Sequence, residues 1–327
     1  MFNKRKKTRV SFIIHDHVLR LAEVKQDDMS HIEFVDEFPL EVGMISEGKI
    51  VNRTKLKELL EEIVKTYELK RKEMLFIVPD AHVVLRKLPY PEGVNEAELK
   101  QYLYLEIGSS IILPFEHAIF DYEIYENNQQ KELILVAAEQ SFVNEYADLF
   151  EEVGLFPVAA DISILCLTRI YNYITKRPKV NEHLLFIQFN IQSANFSYVH
   201  NETPLLSQHL PLDEFTHWKE KNDENGFLEY YWAGAPESID RQIVEVLQSF
   251  ERNIKFYEET LSPGVKVEKV ILTGDYPYLE KAKEAIEETN GLSVYIFNEH
   301  EFETVDGLPV SSNQLLTLGL ALKEVTL

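Results

Sequence analysis

His15, Asp16 and His17 are the first residues of the chain whose types could do chemistry together. Two imidazoles and a carboxylate are groups that bind divalent metals. Alternate residues of an extended strand point to opposite faces, however, and the sequence places no further ligand beside the two histidines. We therefore expect a tight turn between two strands at this position and no metal site.

Cys166 is the only cysteine and lies within the apolar run 164–167. A single thiol excludes a disulfide framework and a cysteine-rich zinc site. Apolar surroundings raise the pKa of a thiol, so we expect a buried structural residue and no nucleophile. A chain without disulfides is typical of a reducing, cytoplasmic compartment.

The composition excludes other kinds of site. The chain has 327 residues, of which 45% are hydrophobic, and its formal net charge of −22 argues against binding a nucleic-acid backbone. It contains no GxxxxGK[ST] phosphate loop, GxSxG elbow or HExxH helix. These observations predict a well-packed protein without a common catalytic motif.

The beginning of the chain is basic, with Lys4, Arg5, Lys6 and Lys7. No apolar run follows them as in a signal peptide, and none in the chain reaches the roughly 18 residues of a membrane-spanning helix. We expect a solvated tail, with contact to anionic lipid as the alternative.

The elements that must position these residues occur in the same order in both halves of the chain. In the first half, the pattern predicts strands at 10–14, 18–24 and 32–38, a helix bearing 56–64, and a buried strand at 74–78. In the second half, it predicts strands at 184–189, 195–200 and 204–210, a long helix at 239–261, a strand at 267–272, a helix at 277–289 and a strand at 293–297. Two copies of this order predict two similar α/β lobes.

Residues 81–159 have a different order of elements. Asn95 followed by Glu98 predicts a capped helix, and the later segments predict strands at 120–125 and 132–137 and a helix at 142–153. We predict a small α+β domain inserted in the first lobe. The first lobe then comprises residues 1–80, 160–180 and a C-terminal helix at about 311–327, and the second lobe comprises residues 181–310.

Several short motifs are spread along the chain. They are Met1-Phe2 before a lysine cluster, Glu98 to Pro114-Phe115 with Phe120-Asp121-Tyr122, Leu133 to Ala138 with Gly154-Leu155-Phe156-Pro157-Val158 and Asp161, Phe250 to Tyr257, Val270-Ile271-Leu272-Thr273-Gly274, and Leu318-Gly319-Leu320-Ala321. In this order and spacing they resemble the PilM family, cytoplasmic actin-like proteins of type IV pilus assembly. The resemblance covers most of the chain and is weakest over about 201–236. It implies an α/β, actin-like ATPase fold with two ribonuclease-H-like lobes, the first carrying an inserted α+β domain like the 1C domain of FtsA.

The resemblance also implies a nucleotide site between the lobes, but this sequence departs from each of its three motifs. In place of the first glycine-containing loop is a turn without glycine, in which Asp16 is the remaining candidate for the metal-associated carboxylate. In the second loop, Gln188 and Asn190 stand where the family has an aspartate and a glycine. In the third, Gly274 is kept, but Asp275 replaces a second glycine and would repel phosphates. We predict a degenerate cleft that binds neither ATP nor Mg²⁺, has no catalytic residue and makes the protein a scaffold, or pseudo-ATPase.

The partner that the resemblance implies is the cytoplasmic N-terminal segment of a PilN-like bitopic membrane protein, held in a groove between the inserted domain and the first lobe. Main-chain bonds along a sheet edge and apolar pockets would hold an extended peptide. The candidate groove residues are Leu88, Tyr102, Leu105, Glu106, Ile112, Pro114, Phe115, Tyr122 and Ile124. Their alternative role is ordinary core of the inserted domain. The protein would lie in the cytoplasm, peripheral to the inner face of the membrane, and would couple this partner to the pilus motor ATPase.

Other functions stay open at this point. They are a nucleotide-binding actin-like ATPase of the same machinery, the cytoplasmic part of a related secretion platform, and a filament-forming cytoskeletal protein. The aromatic residues Trp218, Phe227, Tyr230, Tyr231 and Trp232 lie in or beside the acidic stretch 213–229. They either anchor a partner or pack back on the second lobe.

Overall fold

The computed structural model describes residues 8–25, 29–127, 130–176, 181–212, 217–223, 226–297 and 302–325. The basic segment Lys4, Arg5, Lys6 and Lys7 lies outside them, so lipid contact stays a prediction. Within these ranges, no helix combines the length and the apolar character of a membrane span.

The chain begins with an α/β unit. Its elements are the strands β1 (Thr8–Ile14), β2 (Val18–Lys25), β3 (Ile32–Pro39), β4 (Ile45–Ser46) and β5 (Lys49–Ile50), the helix α1 (Arg53–Thr66) and the strand β6 (Glu73–Ile77). The Asn52 side chain caps the first turn of α1, which buries Leu56, Leu60 and Ile63 on one face. The strands and the helix predicted for the first half are confirmed.

A second sheet unit follows. Its elements are β7 (Val83–Pro89), α2 (Leu99–Glu106), β8 (Ala118–Asn127), β9 (Gln130–Glu139) and α3 (Gln140–Glu152). The strands form a three-stranded sheet in the order β7-β9-β8, of which β7 was not predicted. The capping box of Asn95 and Glu98 is present, and α2 packs its Leu99 and Leu103 on Leu133 of β9.

Helix α3 packs its apolar face on the first sheet. Its residues Phe142, Tyr146 and Phe150 share a core with Phe12 of β1 and Phe76 of β6. The ring centroid of Phe150 lies 5.3 Å from that of Phe12 and 5.5 Å from that of Phe76. The predicted inserted domain, 81–159, therefore contains a helix whose apolar face belongs to the core of the first lobe, because it covers that sheet. The domain limits themselves stay a prediction.

Strand β10 (Phe156–Asp161) and helix α4 (Ser163–Thr175) complete the first lobe. Its sheet has the order β10-β6-β1-β2-β3. Strands β1, β2 and β3 pair antiparallel, whereas β6 pairs parallel with both β1 and β10. The parallel strands are covered on both faces, which explains the continuous apolar sequence of β6.

The second lobe repeats this plan. Its elements are β11 (His183–Phe189), β12 (Ser193–His200), β13 (Thr203–Pro211), β14 (Trp218–Asn222), β15 (Leu228–Trp232), α5 (Pro236–Phe256), β16 (Lys269–Thr273), α6 (Leu279–Asn290), β17 (Val294–Ile296), β18 (Phe302–Glu303) and β19 (Pro309–Val310). The chain then forms helix α7 (Leu315–Ala321), which is shorter than the helix predicted at about 311–327 and packs against β1, β2 and β6 of the first lobe. The sheet order is β13-β12-β11-β16-β17, so the two lobes match strand for strand. The predicted long helix does not stay α-helical to 261, because Tyr257–Leu261 forms a π-helical turn.

The hairpin of β14 and β15 contains aromatic residues for which the sequence left two roles open, binding a partner or packing on the second lobe. Trp218 and Tyr230 are buried and lie in the core of the second lobe. Tyr231 points outward and is 44% exposed. The two buried rings therefore pack back on the lobe, as the second of the two interpretations expected.

Helices α4 and α7 lie between the two sheets. Their core contains Ile13 and Leu75 from the first sheet and Phe186 and Ile271 from the second. A Cβ atom on Gly319 of α7 would lie 2.2 Å from the Cys166 carbonyl oxygen of α4, so this close approach requires glycine. Cys166 is fully buried, as expected, and burial raises the pKa of its thiol.

Candidate functional site

The turn between β1 and β2 reaches the space between the lobes. The His15 amide donates to the Val18 carbonyl oxygen at 2.9 Å, which confirms the tight turn. The Asp16 carboxylate accepts hydrogen bonds from the Glu47 amide and, at 2.8 Å, from the Gly48 amide. Asp16 therefore fixes the loop between β4 and β5 in this structure.

The two histidines of this turn do not point to opposite faces, contrary to the prediction. Their rings stack with centroids 5.8 Å apart, because a turn and not an extended strand carries them. No group of three metal-binding side chains occurs in the described parts of the chain. Burial, followed by the charges of His17 and Arg20, lowers the pKa of His15 to about 3.

The second loop of the cleft connects β11 and β12. Gln188 and Asn190 are both buried there. Asn190 Oδ1 accepts from the Asp275 amide at 3.3 Å. Among the described residues, neither Gln188 Oε1 nor Asn190 Nδ2 has a hydrogen-bond partner. Both residues line a small cavity of about 20 Å³.

The third motif follows β16 and contains a buried charge interaction. Gly274 has a φ of +120°, and a Cβ atom there would lie 2.0 Å from the Phe189 carbonyl oxygen. Asp275 Oδ2 accepts from Arg20 Nη2 at 2.9 Å and from His17 Nε2 at 2.8 Å. Burial alone would raise the pKa of Asp275, but the charges of His17 and Arg20 outweigh it and hold that pKa well below its usual range.

Asp80 is a cleft residue that the sequence analysis missed. It lies just after β6, where its carboxylate accepts from the Ser163 hydroxyl and, at 2.9 Å, from Asn195 Nδ2 of the second lobe. Burial raises its pKa to about 6. One carboxylate oxygen thus bonds within the first lobe and the other bonds to the second lobe, and the position of Asp80 after a buried strand was the available sequence signal.

The space that remains between the loops is small. A cavity of about 70 Å³ is lined by His15, Asp16, Asp80, Asn190 and His209. Small-molecule sites in proteins usually enclose about 300–1,000 Å³. Of the residues predicted for the degenerate cleft, Gln188, Asn190, Gly274 and Asp275 line the cavity of about 20 Å³, and Asp16 lines the cavity of about 70 Å³ together with Asn190.

The nine residues named for the partner groove do not form one surface. Leu88, Tyr102, Tyr122 and Ile124 pack around the core of the inserted sheet. Leu105 and Ile112 are 66% and 62% exposed, on and after α2. Pro114 is exposed, Phe115 is half-buried, and the Glu106 carboxylate accepts from the Ser110 hydroxyl. The alternative interpretation, ordinary core, therefore holds for the first four.

A groove does lie between the inserted sheet and the first lobe. Its volume is about 540 Å³, and its walls come from β8, β9, α4 and the end of the chain near Lys323. Of the nine named residues, only Tyr122 lines it. The residues that the sequence analysis missed include Lys100, Ile119, Asp121, Glu123 and Leu165. The alternation of apolar and acidic residues over 119–124 was the signal for a strand with one polar face.

Strand β8 presents an open edge to this groove. Within the described residues it pairs only with β9. The Gln140 amide donates to the His117 carbonyl oxygen at 2.9 Å, which continues the β8–β9 ladder through odd-numbered residues of β8. The Tyr122 amide instead donates to the Asp121 side chain at 2.9 Å. The amides of Phe120, Tyr122 and Ile124 therefore point away from β9.

The groove also touches the second lobe. Glu123 Oε1 accepts from the Thr203 hydroxyl at 3.2 Å, and the Tyr125 hydroxyl lies 2.6 Å from His200 Nδ1. On the opposite wall, the buried Asp161 carboxylate is paired with Arg169 and lies 3.4 Å from Lys323 Nζ. The groove therefore has acidic residues on the wall formed by β8. On its opposite wall it has a carboxylate whose charge is neutralised by its cationic partners.

The comparisons with solved structures agree with this architecture. A structure described as the PilM-PilN type IV pilus biogenesis complex has a TM-score of 0.74 and 18% identity, over 97% of this chain and 98% of the other. The ethanolamine utilization protein EutJ from Carboxydothermus hydrogenoformans has a TM-score of 0.50 and 11% identity, over 97% and 89%. The cytoplasmic domain of EpsL, of the type II secretion system of Vibrio cholerae, has a TM-score of 0.51 and 10% identity, over 97% and 96%. These likenesses confirm the expected actin-like ATPase fold.

The sequence comparisons give the family. No curated protein matches the chain in sequence. The family described as type IV pilus assembly protein PilM matches residues 14–207, which is more than half of the chain. That stretch includes both hairpin turns of the cleft and the whole inserted sheet. The chain therefore belongs to the PilM family of type IV pilus assembly proteins.

Proposed function

We propose that the protein is a scaffold of type IV pilus assembly, or of a related DNA-uptake or secretion machine, that binds the cytoplasmic N-terminal segment of a PilN-like bitopic membrane protein. The observation that carries this proposal is the groove of about 540 Å³ beside the open edge of β8. The structure with a TM-score of 0.74, described as a PilM-PilN complex, supports the choice of partner. Binding to this partner would hold the protein at the inner face of the membrane, between it and the motor ATPase.

The groove suits an extended peptide that adds a strand to the inserted sheet. The outward amides of Phe120, Tyr122 and Ile124 supply main-chain donors along the edge. At about 3.3 Å per residue, the five residues 119–123 that line the groove match a peptide of about five residues. In the free protein, the Asp121 carboxylate bonds to the Tyr122 amide and must move when the peptide binds.

We further propose that the protein needs neither ATP nor Mg²⁺ and is not an enzyme. Support comes from the cleft, where a cavity of about 70 Å³ remains and where Asp275 and Arg20 form a buried ion pair. A nucleotide would have to displace that pair, which lies on residues of both lobes. The residues of the cleft do not fit a nucleotide.

The test is a calorimetric titration with a synthetic peptide from the N-terminus of the PilN-like protein encoded beside this one. Ile119→Arg places a long cation in the groove, and Ile112→Arg makes the same change on a more exposed surface away from it. We expect the wild type and Ile112→Arg to bind alike, and Ile119→Arg to bind at least about tenfold more weakly, a difference of about 1.4 kcal/mol.

A separate titration with MgATP should give no heat. Equal peptide affinity of the two variants would show that the groove is not the binding site. Binding of MgATP would replace this proposal by the nucleotide-responsive ATPase.

A further inference from the structure

We infer that Asp275 is the internal ligand of an anion site formed by both lobes, and that this site binds a free oxyanion such as inorganic phosphate once the carboxylate is removed. This inference concerns the cleft and is independent of peptide binding in the groove. It assigns a binding function to residues that the proposed function leaves unused.

The donors of this interlobe anion site converge on one carboxylate from two lobes. Arg20 Nη2 and His17 Nε2, from the first lobe, lie 2.9 and 2.8 Å from Asp275 Oδ2. The Ile191 amide, from the turn after β11, donates to Oδ1 at 3.1 Å. A guanidinium, an imidazole and a main-chain N–H are the groups that bind phosphate and carboxylate in proteins.

Arg20 keeps a second carboxylate partner when Asp275 is removed. Arg20 Nε donates to Glu37 Oε2 at 2.9 Å, and the other Glu37 oxygen accepts from the Leu228 amide. Removal of Asp275 would therefore leave Arg20 paired with Glu37 and still carrying a free N–H. Such a variant keeps the donors in place but loses the anion that they share.

The space around Asp275 allows another anion to enter. On one side is the inner cavity of about 20 Å³, which Arg20 and Asn190 also line. Asn190 Nδ2 has no partner among the described residues and supplies a further buried donor. On the other side is an outer cavity of about 650 Å³ that reaches Tyr230 and Tyr278. Asp275 lines both cavities.

One consequence is that a residue of the chain itself links the two lobes. In a protein with a free anion at this position, the link between the lobes would depend on the anion concentration. Here the anion is a side chain, so the link forms without a bound anion. The surfaces that need both lobes, such as the contact of Glu123 with Thr203, are then present without any bound cofactor.

The experiment compares Asp275→Ala with the wild type and with Asp240→Ala, which removes a carboxylate that is 59% exposed. Thermal unfolding is measured in sodium phosphate and in sodium chloride of equal ionic strength. We expect Asp275→Ala to unfold about 5 °C or more below the wild type in chloride. Phosphate should raise its Tm in a saturable manner and leave both other proteins unchanged.

Calorimetry with inorganic phosphate should show binding to Asp275→Ala at least about tenfold tighter than to the wild type. A fall in Tm without a phosphate response would mean that the carboxylate is only a structural ion-pair partner and would overturn the inference. An unchanged Tm would overturn it as well. If Asp275→Ala and Asp275→Ser are both insoluble in chloride, soluble yield in phosphate against chloride becomes the measurement, and equal yields refute the inference.

Discussion

Replacement of Arg20 by methionine removes the cation that lies between two buried carboxylates. Arg20, Glu37 and Asp275 have side chains that are 4%, 7% and 1% exposed. Removal of one partner from a buried ion pair costs about 3–5 kcal/mol, because the other charge is left without compensation. At roughly 2 °C per kcal/mol for a chain of this length, we expect Arg20→Met to lower Tm by about 6–10 °C.

Arg53→Met is the matched control. Arg53 Nη2 lies 2.7 Å from Glu152 Oε1, but these side chains are 37% and 44% exposed. Exposed ion pairs contribute about 0–1 kcal/mol, so Tm should fall by less than about 2 °C. Differential scanning calorimetry of both variants at pH 7 makes the comparison, with circular dichroism to establish that each is folded.

The pH dependence gives an independent test of the same ion pair. In the wild type, the pKa of Asp275 is lowered, so its contribution to stability is present above the ordinary carboxyl pKa and is lost as pH falls toward the lowered value. Without Arg20, His17 alone of these two partners still opposes the effect of burial, so the pKa of Asp275 in the folded state rises above its wild-type position. The deficit of Arg20→Met should therefore shrink as pH falls through the acid range. An equal loss of Tm in both variants, or a deficit that is constant with pH, would refute the reasoning.

Two further predictions concern the interlobe core and pH. Gly319→Ala should lose about 1–3 kcal/mol of unfolding free energy, because the alanine Cβ would lie 2.2 Å from the Cys166 carbonyl oxygen. This loss should exceed the gain from the better helix propensity of alanine. A gain of stability in urea unfolding would contradict the close approach. In the folded state, burial and then the adjacent His200 lower the pKa of His183 from 6.5 to about 4. As pH falls, the unfolded chain therefore binds a proton at this residue before the folded protein does, and stability is lost as pH falls from about 6.5 to about 4. His183→Gln should flatten this part of the urea-midpoint profile, and an unchanged profile would assign it to other groups.

The elements of the two lobes could be predicted because their patterns are local. Apolar spacing in α1 and the continuous apolar run of β6 reflect burial on one face and on two faces. The placement of α3 could not be predicted in this way. Its apolar face can be recognised in the sequence just as easily. The sheet that this face covers, however, is formed by segments that precede and follow the inserted strands, and only the folded chain brings them to the helix.

The groove shows the same limit. The alternation of β8 over 119–124 is a local signal, and it was recognised as a strand. Which edge of β8 is free depends on the order β7-β9-β8, and the opposite wall comes from α4 and from Lys323, far along the chain. The candidate residues were therefore drawn from the right region, but five of the nine lie outside both the groove and the core of the inserted sheet.

The sequence by itself determined the family, the two α/β lobes, the turn at residues 15–17 and the loss of the glycine motifs, since each depends on residue types at short spacing. It also placed Asp275 in the cleft and expected it to repel phosphate. Only the tertiary structure brought Arg20, 255 residues away in the chain, to that carboxylate and made it an internal ligand. Charges separated by such a distance in sequence interact only after both lobes have folded and excluded water from between them.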